Sequence, residues 1–219
     1  ALAAVAAARQ GLAAGVAARL GADVFGDRLV ALWAGEGVDA SAVERDEDAP
    51  TGLYFVRHGP DGHMFDYRRE GSAASRLSPD GLPEDSIRNA RCLHLSGITL
   101  AISPTAEAAA FWAIEIAKDE RRIVAFDPNL RLRLWPASRA RDPIRRAAAQ
   151  ADILLPSLDD AHALTGLHDP DAIVDHYLEL GPQVVALTLG PAGALVATPD
   201  ARVRIPAREA KLLDATGAG

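Results

Sequence analysis

The chain is short of the residues that would commit it to several classes of function. Only two of its 23 basic residues, Lys118 and Lys211, are lysines, and 30 acidic residues leave a formal net charge of −7. That balance offers no basic footprint for a nucleic acid. One cysteine, Cys92, excludes an intramolecular disulfide and a cysteine metal cluster. It lies in an apolar, strand-like run and reads as a buried structural thiol, a usage that fits a reducing cytoplasm. No apolar stretch approaches the ~20 residues that a membrane span requires. The histidines lack metal-ligand spacing, and His94 on an apolar strand reads as a core histidine. There is no internal repeat and no low-complexity linker. No G-x-G-x-x-G opens a helix after a strand, which argues against a dinucleotide-binding oxidoreductase. The alanine-rich Ala1–Gln10 is interrupted by Arg9 and has no charged leader before it. It reads as a helix already in progress, so the N-terminus is expected to be truncated.

What remains is enough for a substantial core. The 219 residues are 49% hydrophobic, which suits one domain with a small appendage. Short apolar runs alternate with amphipathic stretches, the pattern of βα units on a mostly parallel sheet. Strands are expected at Ala13–Arg19, Cys92–Ser96, Ile123–Phe126, Ile153–Pro156 and Val184–Leu189, all with little alternation, as for strands covered on both faces. Phe25, Leu29, Leu32 and Trp33 share a helical face that Gly35 and Gly37 close. Ser103-Pro104 and Asp142-Pro143 are helix-start signals, and a further helix is expected at about Asp169–Leu180. Thr51–Arg57 and His63–Arg69 break the pattern. They are β-like runs joined by Gly59-Pro60-Asp61-Gly62, a strong turn, and predict a β-hairpin serving as a lid, as a contact between copies, or as decoration.

Polar residues cluster after four of the strands, where ligands bind in open α/β sheets. They are Asp127-Pro128-Asn129-Leu130-Arg131, then Ser157-Leu158-Asp159-Asp160, then Thr188-Leu189-Gly190-Pro191-Ala192-Gly193, and finally Asp214-Ala215-Thr216-Gly217-Ala218-Gly219. Each has a plain structural alternative: a turn at Asp127-Pro128-Asn129, a helix cap at Asp159, a hairpin at Gly190 and Gly193, a close helix–strand turn at the last. A Gly-Ala-Gly turn entering a helix also directs backbone N–H groups and the positive helix end at one point, a site for phosphate.

In this order the clusters resemble the ribokinase-like (PfkB) carbohydrate kinases, and the resemblance spans essentially the whole chain. Asp214–Gly219 is similar to that family's D-x-T-G-A-G signature. Arg19-Leu20-Gly21-Ala22-Asp23-Val24-Phe25-Gly26 is similar to its R-x-G-x-D-x-F-G stretch, and Thr188-x-Gly190-x-x-Gly193 to its nucleotide-binding T-x-G-x-x-G. Ser157-x-x-Asp160 stands where the family has N-x-x-E, a motif linked to phosphate and magnesium. Within the family the look is of 2-keto-3-deoxygluconate kinases. It is carried by Thr51-Gly52-Leu53-Tyr54, by Tyr67-Arg68 leading to Gly71–Ser78, by Leu93–Thr99 and by Asp127-x-Asn129-x-Arg131 with Leu134-Trp135.

The resemblance implies a ribokinase-like three-layer α/β sandwich with a mostly parallel central sheet and a small β lid at about residues 50–72. Residues 1–219 would form one incomplete kinase domain. It implies ATP-dependent phosphorylation of the terminal hydroxyl of a 2-keto-3-deoxy sugar acid, with Mg2+. Gly217, Ala218, Gly219 and Arg131 would serve the transferring phosphoryl group. Tyr54, Tyr67, Arg68, Arg131 and Asp214 would hold the sugar acid, since guanidinium forks suit a carboxylate. Ser157, Thr188, Gly190 and Gly193 would frame the nucleotide, and Asp160 would face the metal. The family's catalytic aspartate would directly follow Gly219. A cytoplasmic homo-oligomer joined through the lid is expected, with neither nucleic acid nor membrane as partner. Another sugar kinase such as a fructokinase, or a non-catalytic sugar- or nucleotide-binding member, is the alternative.

Overall fold

The computed structural model describes residues 2–59 and 62–208, the side chains of 58–65 excepted. The chain divides into two compact units, Ala1–Ser86 with Ile102–Ala109, and Ile87–Ala101 with Ala110–Gly219.

In the first unit, α1 (Leu2–Arg9), β1 (Ala14–Gly15), β2 (Ala18–Gly21), α2 (Val24–Gly35), β3 (Val38–Asp39) and β4 (Val43–Asp46) surround a small core of Leu20, Trp33 and Val38. The expected strand at Ala13–Arg19 is two short strands instead. β1 pairs in parallel with β3, and β2 with β4, each as a separate two-stranded sheet. Their backbone groups are satisfied locally, because the chain returns through α2 to lay β3 and β4 beside them. Asp23 caps α2, accepting from the N–H groups of Phe25 (3.1 Å) and Gly26 (2.8 Å). It also accepts from the Thr51 N–H (2.7 Å) and hydroxyl (2.8 Å). One carboxylate thus both starts the helix and fixes the root of β5 (Leu53–Gly59), which pairs antiparallel with β6 (Gly62–Arg68). These bonds, with Thr51 foremost, hold Asp23 below the usual carboxylate range.

The second unit is built on β7 (Cys92–Ser96), β8 (Ile123–Asp127), β9 (Ile153–Leu154), β10 (Val184–Thr188), β11 (Ala194–Ala197) and β12 (Arg202–Ile205). They form one sheet in the order β12-β11-β10-β9-β8-β7, parallel from β7 to β10 and antiparallel beyond. Val124, Phe126, Leu154, Val185 and Leu187 are fully buried, as the unalternating apolar runs require. α3 (Glu84–Asn89) precedes β7, α4 (Gly97–Ile102) follows it, α5 (Pro104–Asp119) precedes β8, α6 (Ala137–Ala148) precedes β9, and α7 (Leu158–Thr165) and α8 (Pro170–Leu180) precede β10. Ser103 caps α5 through the Ala106 N–H (3.0 Å), and Asp169 caps α8 through Ala172 (3.0 Å).

Three expectations need correction. Asp142-Pro143 does not start a helix: α6 begins at Ala137 and carries Pro143 inside it. The buried stripe Ala140, Ile144, Ala147 and Ala148 outweighs the backbone bond that Pro143 cannot donate. Cys92 is exposed rather than buried, and His94, on the same face of β7, is exposed too. β7 is an edge strand of the described sheet, and among the described residues that face of it carries no cover comparable to the one over β8.

β10 and β11 are joined by a short 3-10 turn, Gly190–Ala192. Gly193 has a φ of 95° and a side chain there would run into the backbone of Ile205, whereas Gly190, at a φ of 56°, has nothing within 4 Å of such a carbon. Gly193→Ala should cost at least about 1–3 kcal/mol through backbone conformation, with the collision added. Gly190→Ala should cost only about 1–2 kcal/mol. Thermal unfolding of the two variants should rank them in that order, and the reverse ranking would contradict this account of the turn.

Candidate active site at the carboxyl ends of the parallel strands

Three of the four polar clusters meet in the second unit. β8 ends at Asp127, whose carboxylate accepts from the N–H (3.0 Å) and the side-chain amide (3.2 Å) of Asn129. Asn129 has a φ of 38°, a left-handed conformation that asparagine tolerates. The turn so closed presents the N–H of Leu130 to the carboxylate of Asp160 at 3.1 Å. Asp160 lies in the first turn of α7, and its N–H donates to the Ser157 hydroxyl at 3.1 Å. Ser157, not Asp159, is therefore the cap, and Ser157-x-x-Asp160 acts locally as a capping arrangement. Ser157 in turn bridges Thr188 in parallel register beyond the ends of β9 and β10. Asp127, Asn129, Asp160, Ser157 and Thr188 thus form a continuous row. Gly190 and Gly193 follow Thr188 in a turn closed by the bond from the Leu189 N–H to the Gly193 carbonyl at 2.8 Å.

The electrostatics of this row are unusual. Burial, then the charge of Asp160, push the Asp127 carboxyl up from its ordinary 3.8 to about 6, against the pull of Asn129 and Arg131. Asp160 is raised as well, chiefly by burial, with the Leu130 N–H, Ser157 and Arg131 opposing. Two half-buried carboxyls thus resist simultaneous ionisation, and the Arg131 guanidinium favours their charged forms. Arg131 is exposed and donates to the Leu130 carbonyl at 3.0 Å. Behind Asp160 the Tyr177 hydroxyl is buried with no hydrogen-bond partner among the described residues. Burial first, and then Asp160, raise its pKa. No group of three or more histidines, cysteines or carboxylates gathers as a metal site among the described residues. Asp127 and Asp160 offer a pair of hard oxygen donors that suits magnesium only if other ligands, such as phosphates, complete the shell.

In the first unit the hairpin sorts its side chains by strand alternation. Tyr54 and Tyr67 are register partners on one face, their rings 6.0 Å apart. Arg68 falls on the other face, 68% exposed and 3.4 Å from Asp66, so the expected trio of Tyr54, Tyr67 and Arg68 does not form. The guanidinium that joins the tyrosines is that of Arg69, 5.5 Å from the Tyr54 ring and 5.2 Å from that of Tyr67. Period-two alternation alone could have excluded Arg68. Arg69 lies just past the strand, where that pattern stops predicting direction. Asp214, Gly217, Ala218 and Gly219 lie outside the described residues.

Residues 3–219 match the pfkB family of carbohydrate kinases. The chain belongs to that family. Among curated pfkB relatives, a 2-dehydro-3-deoxygluconokinase of Thermoproteus tenax is 39% identical over 98% of this chain and 66% of its own length. The Bacillus subtilis (strain 168) enzyme of that name is 32% identical over 97% and 67%. A fructokinase-1 of Oryza sativa subsp. japonica is 35% identical over 99% and 68%. The chain thus spans about two thirds of the length of these relatives. Among solved structures, a PfkB protein from Polaromonas sp. JS666 superposes with a TM-score of 0.90 at 36% identity over 95% of this chain and 71% of that one. A fructokinase from Vibrio cholerae O395 bound to fructose, ADP and calcium superposes with a TM-score of 0.87 at 29% identity over 100% and 70%. The fold is the ribokinase-like α/β fold of this family, on a mostly parallel six-stranded sheet.

The raised Asp127 carboxyl makes a prediction about stability. The folded chain holds a proton to about pH 6 that an unfolded aspartate releases near 3.8. That contribution is complete below pH ~4 and is lost as the pH rises through ~6, on the order of 2–3 kcal/mol. Asp127→Asn keeps an acceptor for Asn129 and removes the charge. It should match the parent at pH ~4 and exceed it in melting temperature above pH ~7. Equal melting temperatures at both pH values would show that Asp127 ionises without cost.

Proposed function

We propose that the protein takes part in ATP-dependent phosphorylation of a 2-keto-3-deoxy sugar acid at its terminal hydroxyl. The observation that carries the substrate class is the Arg69 guanidinium set on the paired tyrosines of the hairpin. A guanidinium set over aromatic rings keeps N–H groups free to donate to a carboxylate, and a neutral ketose has no use for that charge. The relatives named 2-dehydro-3-deoxygluconokinase support this reading.

In this reaction the bond between the γ-phosphorus and the β–γ bridging oxygen of ATP breaks, and one forms to the sugar hydroxyl oxygen. The hydroxyl proton passes to a carboxylate base, which the family resemblance sets directly after Gly219. Such transfers depend mainly on position and charge. Thr188 and Gly190, exposed at the end of β10, are assigned to the nucleotide. Arg131 is assigned to the phosphoryl group, and backbone N–H groups at Gly217–Gly219 to the charge that develops on it. Tyr54, Tyr67 and Arg69 are assigned to the sugar acid, with Asp214 on its hydroxyls. Asp160, helped by Asp127, would hold magnesium, which when bound neutralises nucleotide charge. The exposed Phe55 on the hairpin, which has no third strand beside it among the described residues, supports a contact between copies there, with the hairpin as lid. A cytoplasmic location is assigned because ATP is the phosphate donor in the proposed reaction.

Fructose phosphorylation is the second reading, favoured by the rice fructokinase at 35% identity. A coupled ADP-release assay with 2-keto-3-deoxygluconate and fructose separates the two. Arg69→Ala should raise KM for the acid roughly 10- to 150-fold, the worth of one charge-assisted bond, and leave fructose unaffected. Arg68→Ala should change neither by more than about twofold, as an exposed ion pair is worth little. Preference for fructose, or equal losses on both sugars in the Arg69 variant, would sink the sugar-acid assignment.

A further inference from the structure

The segment from Arg131 to Arg146 contains six arginines and one carboxylate, Asp142, in a chain whose net charge is −7. All six arginines are exposed. A genome rich in arginine codons explains arginine in place of lysine. It does not explain why six of them gather within sixteen residues that hold a single carboxylate. Some exposed arginines elsewhere do find carboxylates, as Arg9 with Glu36, Arg202 with Asp171 and Asp175, and Arg204 with Asp171. Arg131, Arg139, Arg141, Arg145 and Arg146 make no ion pair among the described residues. Arg131 and Arg141 donate to the backbone carbonyls of Leu130 (3.0 Å) and Ala163 (3.4 Å), and Arg146 lies over the Phe111 ring at 4.1 Å.

Position gives this charge its meaning. The segment starts at the candidate site, where Arg131 follows the Asp127–Leu130 turn. It continues along α6, and Arg141 reaches the carbonyl of Ala163 on α7, the helix whose first turn carries Asp160. The stripe therefore leads to the row that ends at Thr188 and Gly190. An acidic protein repels anions at a distance, and a cationic stripe beside the site is where an anion can approach. The nucleoside triphosphate is the most highly charged ligand in the proposed reaction and gains most from such a field.

We infer that the exposed arginines of α6 form an electrostatic landing surface that speeds capture of the nucleotide without belonging to its final binding site. The inference rests on the nucleotide-binding reading above. Guanidiniums outside the final contact act on the encounter, so they change association and leave dissociation alone. The field decays over about 10 Å at 0.1 M salt, so the effect should vanish as ionic strength rises.

The test is stopped-flow binding of a fluorescent ADP analogue to the protein, at low salt and at ~0.5 M. It uses the triple variant Arg139→Gln, Arg141→Gln, Arg145→Gln and its counterpart with lysine at the three positions. At low salt the glutamine variant should associate more slowly, on the order of tenfold, with an unchanged dissociation rate. The lysine variant should follow the parent, and all three should converge at high salt. An unchanged association rate at low salt in the glutamine variant overturns the inference. So does a loss that persists at high salt, appears in the dissociation rate, or occurs equally with lysine. A parent protein that takes up no nucleotide at all overturns the functional reading itself, and this inference with it.

Discussion

One backbone N–H, that of Leu130, organises the candidate site. It donates to Asp160 across a sequence gap of thirty residues and ties the turn after β8 to the first turn of α7. Three local features make the bond available. Asn129 adopts a left-handed conformation, Asp127 closes the turn under it, and Ser157 caps α7 so that Asp160 points back. A hydrogen bond to a charged acceptor is worth about 1.5–3 kcal/mol. That bond opposes the burial that raises the Asp160 carboxyl.

Much of this was legible in the residues because the signals were redundant. β7, β8 and β10 announced themselves as apolar runs without alternation, and the start of α5 through the cap at Ser103 before Pro104. The order of the clusters along the chain set them on one edge of the sheet, since every parallel strand delivers its carboxyl end to the same side. Where the reading failed, one local signal was weighed without its competitor. Pro143 was read as a helix start, although four buried apolar positions at helical spacing carry the helix through it. The apolar sequence around Cys92 and His94 suggests burial, but it does not tell a central strand from one at the edge of the described sheet.

The hairpin shows a subtler limit. The lid was expected to present Tyr67 and Arg68 together, which adjacent residues of a strand cannot do, because successive side chains leave opposite faces. The register pairing of Tyr54 with Tyr67 leaves Arg68 with Asp66 and brings the Arg69 guanidinium onto both rings. Identity at the next position could not have revealed this, since both residues are arginines. Only geometry distinguishes the cation near both rings from the exposed one beside Asp66.

The second unit brings both signs of charge to one edge. Asp127 and Asp160 resist ionising together, while Arg131 draws both towards the charged form. Such a site is poorly satisfied alone, because two carboxylates in partial burial repel and one exposed guanidinium cannot neutralise both. On the proposed reading the ligand is the metal–nucleotide pair, whose cation would meet the carboxylates and whose phosphates would meet Arg131. The site's own electrostatic cost would then fall only on binding, so the protein would hold in its free state a tension that the correct ligand relieves. This makes affinity depend on metal and nucleotide together. A nucleotide without metal would meet the repulsion of two carboxylates, and a metal without nucleotide would find too few ligands.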